Sequence, residues 1–229
     1  MTELRIAMPI AGPAPLMSMP DHEVQASMKT LEFWFEFGST YSYLSAMRID
    51  ALAGTYGIST KWMPFLLGPI FKSFGWRTSP FEIYKQKGDY MWRDVERRAS
   101  RFGLPFRRLD KGAVQVFPQN SLLAARIAIV GLRTDWGRDF CRGVYHAQFA
   151  EGRNIADPDL LFELARRSGA KSEELGAAVS DENKAVLRAQ TKQAMSLGIF
   201  GAPSFVFGEE LFWGDDRLED ALLFATGAG

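Results

Sequence analysis

Residues 31–44 read LEFWFEFGSTYSYL, and this stretch decides the fold. Leu31, Phe33, Phe35 and Phe37 alternate with Glu32, Trp34 and Glu36. A period of two predicts a strand with one buried aromatic face. Gly38-Ser39-Thr40 breaks the alternation. Leu44, Met47, Ala51 and Leu52 then recur at helical spacing, and Gly57 is a natural stop. A second strand is expected over 58–63, before Pro64. A β–α–β opening implies a parallel pair of strands.

Working outward, the middle of the chain is mostly helical in pattern. Phe81 to Phe102 is rich in charge and ends at Gly103. A second helix is expected from Asn120 or Ser121 to Val130, a third over 138–149. Asp157-Pro158 is an N-cap followed by proline at the first helical position, and that helix stops at Gly169. Asp181 opens a longer one that ends near Leu197. The end returns to strands: SFVF at 204–207, Gly208-Glu209, then ELFW at 210–213 reads as a hairpin. Gly214-Asp215-Asp216-Arg217 follows, and a last helix covers 218–224. Residues 1–28 lack any periodic pattern, and Pro9, Gly12, Pro13 and Pro15 interrupt their apolar stretch. They are expected to form a disordered leader and not a secretory signal.

Composition narrows the function. The chain has 229 residues, 27 basic and 27 acidic, with 47% apolar side chains. A neutral chain has no global field with which to hold nucleic acid or acidic lipid. Its single cysteine, Cys141, excludes an internal disulfide, a Cys-x-x-Cys redox pair and a cysteine-rich zinc site. The two histidines, His22 and His146, lie far apart, so no metal centre is expected. No apolar run reaches the length of a membrane span.

Three constellations could carry chemistry. Ser39-Thr40-Tyr41-Ser42 lies between a strand and a helix, where a hydroxyl either caps the helix or donates to an anion. Gly201-Ala202-Pro203-Ser204 precedes a strand; the proline either starts it in trans, or a cis bond opens Ala202's backbone to a ligand. Asp215 and Asp216 either cap the last helix or accept from an ammonium group. Elsewhere, Cys141 reads as a buried structural thiol and His146 as a half-buried helix residue. Phe65, Phe71, Phe74 and Trp76 suit either a core or the wall of a pocket for a flat substrate. Residues 85–101 read as a solvated helix face.

Taken in order, these stretches resemble a known family. FEFGSTYSYL (35–44), PFLLGPIFKSFG (64–75), KGDYMWRD (87–94), GIFGAPSFVF (198–207) and FWGDDRL (212–218) are similar to 2-hydroxychromene-2-carboxylate isomerases and kappa-class glutathione transferases. The resemblance implies an α/β, thioredoxin-like fold with a large all-helical insertion of the DsbA-like type. Residues 29–66 and 192–229 would form the thioredoxin-like domain, and 67–191 the helical insertion domain. It implies an enzyme using glutathione and a small aromatic substrate, as a cytoplasmic homodimer. Ser39, where thioredoxins keep their first redox cysteine, would hydrogen-bond the glutathione sulfur as the catalytic residue. Ala202, before a cis Pro203, would pair with the cysteinyl unit. Asp215 and Asp216 would hold the γ-glutamyl end, and Lys87 would approach the peptide. Two positions depart from the family pattern: Thr40 replaces a proline, and Trp76 an asparagine. The expected activity is a glutathione-dependent isomerisation. A kappa-like transferase and a redox-inactive peptide-binding module are the alternatives. Serine at both 39 and 42 argues against a disulfide oxidoreductase.

Overall fold

The computed structural model describes residues 29–109 and 117–227, so the expected leader lies outside the described residues. The opening alternation becomes β1 (Thr30–Phe35), and the second strand becomes β2 (Ser59–Pro64), parallel to it with Phe33 opposite Trp62. The hairpin forms as read: β3 (Ser204–Phe207) and β4 (Glu210–Trp213) pair antiparallel around Gly208, whose φ of 61° suits the tight turn. β3 also runs antiparallel to β1, with Phe205 opposite Phe33, which gives a four-stranded sheet in the order β2-β1-β3-β4.

β1 is therefore a central strand, and it corrects the expectation of a single buried face. Leu31, Phe33 and Phe35 enter the main core, but Trp34 is fully buried on the opposite side. Helices cover both faces of the sheet. On one side lie α1 (Thr40–Ala46), α7 (Gly137–Phe149) and the last helix, α11 (Leu218–Thr226). On the other, α3 (Leu67–Ser73) and α10 (Asp181–Ser196) contribute Ile70 and Ala194 to a smaller cluster around Trp34.

Three helical expectations are revised. The helix after β1 is two: α1, then α2 (Ile49–Thr55). A tight turn, in which Arg48 N–H donates to Ser45 O at 3.0 Å, swings Arg48 off the helix line. Residues 81–102 also divide, into α4 (Pro80–Ile83) and α5 (Lys85–Arg101), because Tyr84 is extended between them. α5 is not simply a solvated face, since Met91, Trp92, Val95 and Ala99 are buried in it. In α3, Pro69 falls in the first turn, where its missing N–H costs nothing. The remaining helices are α6 (Leu122–Gly131), α8 (Pro158–Ser168), capped by Asp157 and stopped by Gly169, and α9 (Ser172–Ala178). No helix among the described residues is long and apolar enough to cross a membrane.

The turn between α6 and α7 brings backbone against backbone. A methyl at Gly137 would stand 2.2 Å from the Gly131 carbonyl carbon. Alanine gains about 1 kcal/mol of helix propensity over glycine, but forcing apart packed backbone costs about 1–3 kcal/mol or more. Gly137→Ala should therefore lower the urea midpoint at unchanged m-value, a net loss of about 1 kcal/mol or more. An equal or higher midpoint would contradict this packing.

Candidate active site

Ser39 stands at the C-terminal end of the central strand. Its Oγ accepts the Ser42 N–H at 3.1 Å, which caps α1, and donates to the Ala202 carbonyl at 2.8 Å. Of the roles considered for this side chain the cap is the one seen, and the same hydroxyl also faces the segment before β3. The Ala202–Pro203 peptide is cis, and Pro203 O accepts the Gly214 N–H at 3.0 Å, which ties the two ends of the hairpin together. Ser42, at the second serine position, is fully buried behind Ser39.

Ser39 and Ala202 lie in the wall of a cleft of about 1390 Å³. Single small-molecule sites usually occupy roughly 300–1,000 Å³, so there is room for two ligands side by side. One wall is aromatic. Phe74 and Trp76 pack at 5.6 Å between ring centroids, and Phe71 meets Trp76 at 5.8 Å. The four aromatic residues left open by sequence therefore separate: Phe65 is core, and the other three line the cleft. Across the mouth, Phe200 and Trp213 pack at 4.8 Å. Gly201 makes this possible, since a Cβ there would lie 2.3 Å from the Trp213 indole nitrogen.

The charged residues divide sharply. Asp215 lines the cleft, but its side chain has no exposed surface. Its carboxylate accepts from Ser45 Oγ at 2.8 Å, from Arg48 at 3.0 Å and from two nitrogens of Arg98 at 2.9 and 2.5 Å. The Phe102 ring lies under both guanidiniums. This corrects the role expected of Asp215: its lone pairs are already taken up, and it fastens α1, α5 and the last helix together. Asp216 is different. It is half exposed on the cleft rim, with Arg217 at 3.3 Å. Lys87 also reaches the rim, exposed, with Nζ 5.5 Å from the Tyr84 ring centroid. From α5, Asp94 accepts the Tyr41 hydroxyl at 3.0 Å; burial, then the Asp94 charge, push that phenol's pKa up.

Sequence reasoning missed Glu36. It is buried in the cleft wall three residues before Ser39. Burial pushes its carboxyl up to about 7, against the opposing pull of hydrogen bonds from Ser121 and the Gly38 N–H. The available signal was its place in the alternation, on the same strand face as Trp34. Cys141 and His146 do not line the cleft. Cys141 is fully buried, which pushes its thiol far up, and His146 is half exposed beside Glu151. Among the described residues no cluster has the makings of a metal site.

Comparison with known proteins follows this geometry. The profile of the DSBA-like thioredoxin domain matches residues 30–223. A 2-hydroxychromene-2-carboxylate isomerase of Pseudomonas putida is 26% identical over 196 residues, covering 82% of this chain and 90% of that protein. Glutathione s-transferase kappa 2 of Caenorhabditis elegans is 27% identical, covering 76% of this chain and 79% of that one. A solved structure of a 2-hydroxychromene-2-carboxylate isomerase superposes with a TM-score of 0.72 at 26% identity, covering 86% of this chain and 94% of that one.

The two neighbouring aspartates should behave oppositely in stability. Removing one partner of a buried ion pair costs about 3–5 kcal/mol, somewhat less where the arginines can still reach water. Asp215→Asn should therefore lower unfolding free energy in urea by about 2–4 kcal/mol. Asp216→Asn should stay within about 0.5 kcal/mol. Equal losses would refute the division of roles.

Proposed function

Because the chain belongs to the DSBA-like thioredoxin domain family and carries serine at positions 39 and 42, we propose that it is a glutathione-dependent isomerase. Its substrate would be a 2-hydroxychromene-2-carboxylate-like intermediate of aromatic catabolism. The observation that carries this reading is the Ser39 hydroxyl, 2.8 Å from the carbonyl of Ala202 in the wall of a cleft large enough for a peptide and an aromatic acid together.

Glutathione would lie along the segment before cis Pro203, its cysteinyl unit against the Ala202 backbone and its γ-glutamyl ammonium at Asp216. Lys87 would meet the peptide from the rim. The Ser39 hydroxyl can rotate its hydrogen from the Ala202 carbonyl to an arriving sulfur, since a hydroxyl is both donor and acceptor. A hydrogen bond to a charged partner contributes about 1.5–3 kcal/mol. The thiolate adds to the conjugated system of the substrate, and the electron pair of the double bond moves onto the conjugated carbonyl. The former double bond rotates as a single bond. The pair then returns, the carbon–sulfur bond breaks, and the thiolate is regenerated. Glutathione is not consumed. A cytoplasmic homodimer completes the reading, the cytosol being the compartment in which glutathione keeps thiols reduced.

A kappa-like transferase is the second reading, favoured by the relative that carries that name at 27% identity. There the adduct leaves, so total free thiol falls with turnover. Under isomerisation it stays constant while the substrate spectrum changes.

Ser39→Ala should lower turnover by about tenfold or more, the rate equivalent of the hydrogen bond, while the protein remains folded. Unchanged turnover would remove Ser39 from the mechanism. Asp216→Ala should raise the glutathione concentration needed for half-maximal rate and leave the maximal rate nearly intact. An unaltered glutathione titration would exclude Asp216 from the γ-glutamyl end.

A further inference from the structure

Two buried carboxylates stand in the cleft wall, and the protein answers them differently. Asp215 is met by two guanidiniums. Glu36 is met only by neutral donors: the Gly38 N–H at 2.8 Å and the Ser121 hydroxyl. From α7, the Tyr145 hydroxyl reaches the Glu36 carbonyl at 3.1 Å, and Cys141 lies beyond it; burial pushes both far up, so neither ionises. Among the described residues no cation pairs with Glu36. A carboxylate left in such surroundings is poorly stabilised and holds a proton readily.

Its place relative to Ser39 is fixed. The Ser39 N–H donates to the Glu36 carbonyl at 3.0 Å. A Cβ at Gly38 would come within 2.9 Å of Glu36 Oε2 and 3.3 Å of the Pro118 side chain, so the carboxyl packs directly on the turn that presents Ser39. The Ser39 hydroxyl can stabilise a sulfur anion, but it cannot keep the proton that the thiol gives up. Ser121 and Tyr145 cannot accept it either.

We propose that Glu36 is the proton store of this site: it takes up the proton released when a tripeptide thiol ionises against Ser39, and returns it when the sulfur leaves. The exchange balances, since thiol and carboxylate become thiolate and carboxylic acid, with cleft water carrying the proton. The inference rests on the glutathione reading above. Its driving force is electrostatic. An arriving thiolate is a second negative charge in the same wall, and like charges raise each other's affinity for protons.

The test is calorimetric. Glutathione is titrated into the full chain at pH 6 and pH 8, each in two buffers of different ionisation enthalpy, which counts the protons released on binding. At pH 6 Glu36 already carries its proton, because its carboxyl titrates at about 7, so close to one proton should be released per site. At pH 8 the wild type should release close to none, the proton passing to Glu36. Free thiol at that pH is still largely protonated, with a reference pKa of about 8.5, so Glu36→Gln should release more than half a proton. Glu36→Asp should return the release toward the wild-type value. Binding with equal release in wild type and Glu36→Gln at pH 8 would overturn the proton store and leave the glutathione reading intact. No binding heat at all would overturn the glutathione reading itself. Should Glu36→Gln fail to fold, a wild-type release that does not fall between pH 6 and pH 8 beyond the free thiol's own ionisation overturns the proposal.

Discussion

A hydrogen bond between Ser39 and Ala202 spans 163 residues of sequence. It joins the end of the first strand to the entrance of the third, and the cleft is built around it. Two pairings hold those backbones in register. β1 and β3 are neighbours in the sheet, and Gly214 N–H on Pro203 O closes the far end of the hairpin. Aromatic burial on both faces of β1 makes that register costly to change, since a one-residue slip would turn Phe33 and Trp34 to opposite sides. The accuracy of the site is therefore inherited from the core, and no loop has to supply it.

Electrostatics then sorts the polar residues by task. Asp215, neutralised by Arg48 and Arg98, behaves as a structural rivet between α1, α5 and the last helix. Glu36, given hydrogen bonds and no counter-charge among the described residues, keeps a proton affinity close to physiological pH. A carboxyl whose folded value exceeds its unfolded value contributes most at low pH, and that contribution is lost as pH rises from the unfolded value of about 4.5 toward 7. The wall thus carries a cost at neutral pH that a purely structural residue would not impose.

Local signals were the legible part of the sequence. The hairpin at 204–213 could be read residue by residue because its turn is two residues with a glycine. The helix opened by Asp157-Pro158 and closed by Gly169 has both caps in its own sequence. Ser39, Ala202, Pro203 and Asp216 sit at element ends, but only the resemblance to a family grouped them; the fold sets Ser39, Ala202 and Asp216 along one cleft. What escaped depends on tertiary partners. Arg48, in the turn between α1 and α2, pairs with an aspartate 167 positions away. Tyr84 breaks α4 from α5 while the charge pattern runs straight through it. Asp215 and Asp216 are adjacent and chemically identical, and only the fold makes one buried and the other open. Glu36 looked like the polar half of an amphipathic strand because its partner Ser121 lies 85 positions along the chain.

On the proposed reading, serine in place of cysteine changes what the site can do with a sulfur. A cysteine at position 39 would trap a visiting thiol as a mixed disulfide, an outcome that needs an oxidant and ends the cycle. A hydroxyl only shares a proton, so the visiting sulfur stays free to bond elsewhere and to leave again. Reversible addition demands that freedom twice, since the same atom must be a good nucleophile and then a good leaving group. Both demands favour a thiolate held by moderate hydrogen bonds over one bound covalently or by a full positive charge. On the proposed reading the Ser39 hydroxyl meets that requirement as a neutral donor, while Arg48 and Arg98 are engaged by Asp215. A cleft with room for a second ligand beside the first lets the adduct form, turn and break without leaving, which on the proposed reading is what separates an isomerisation from a conjugation.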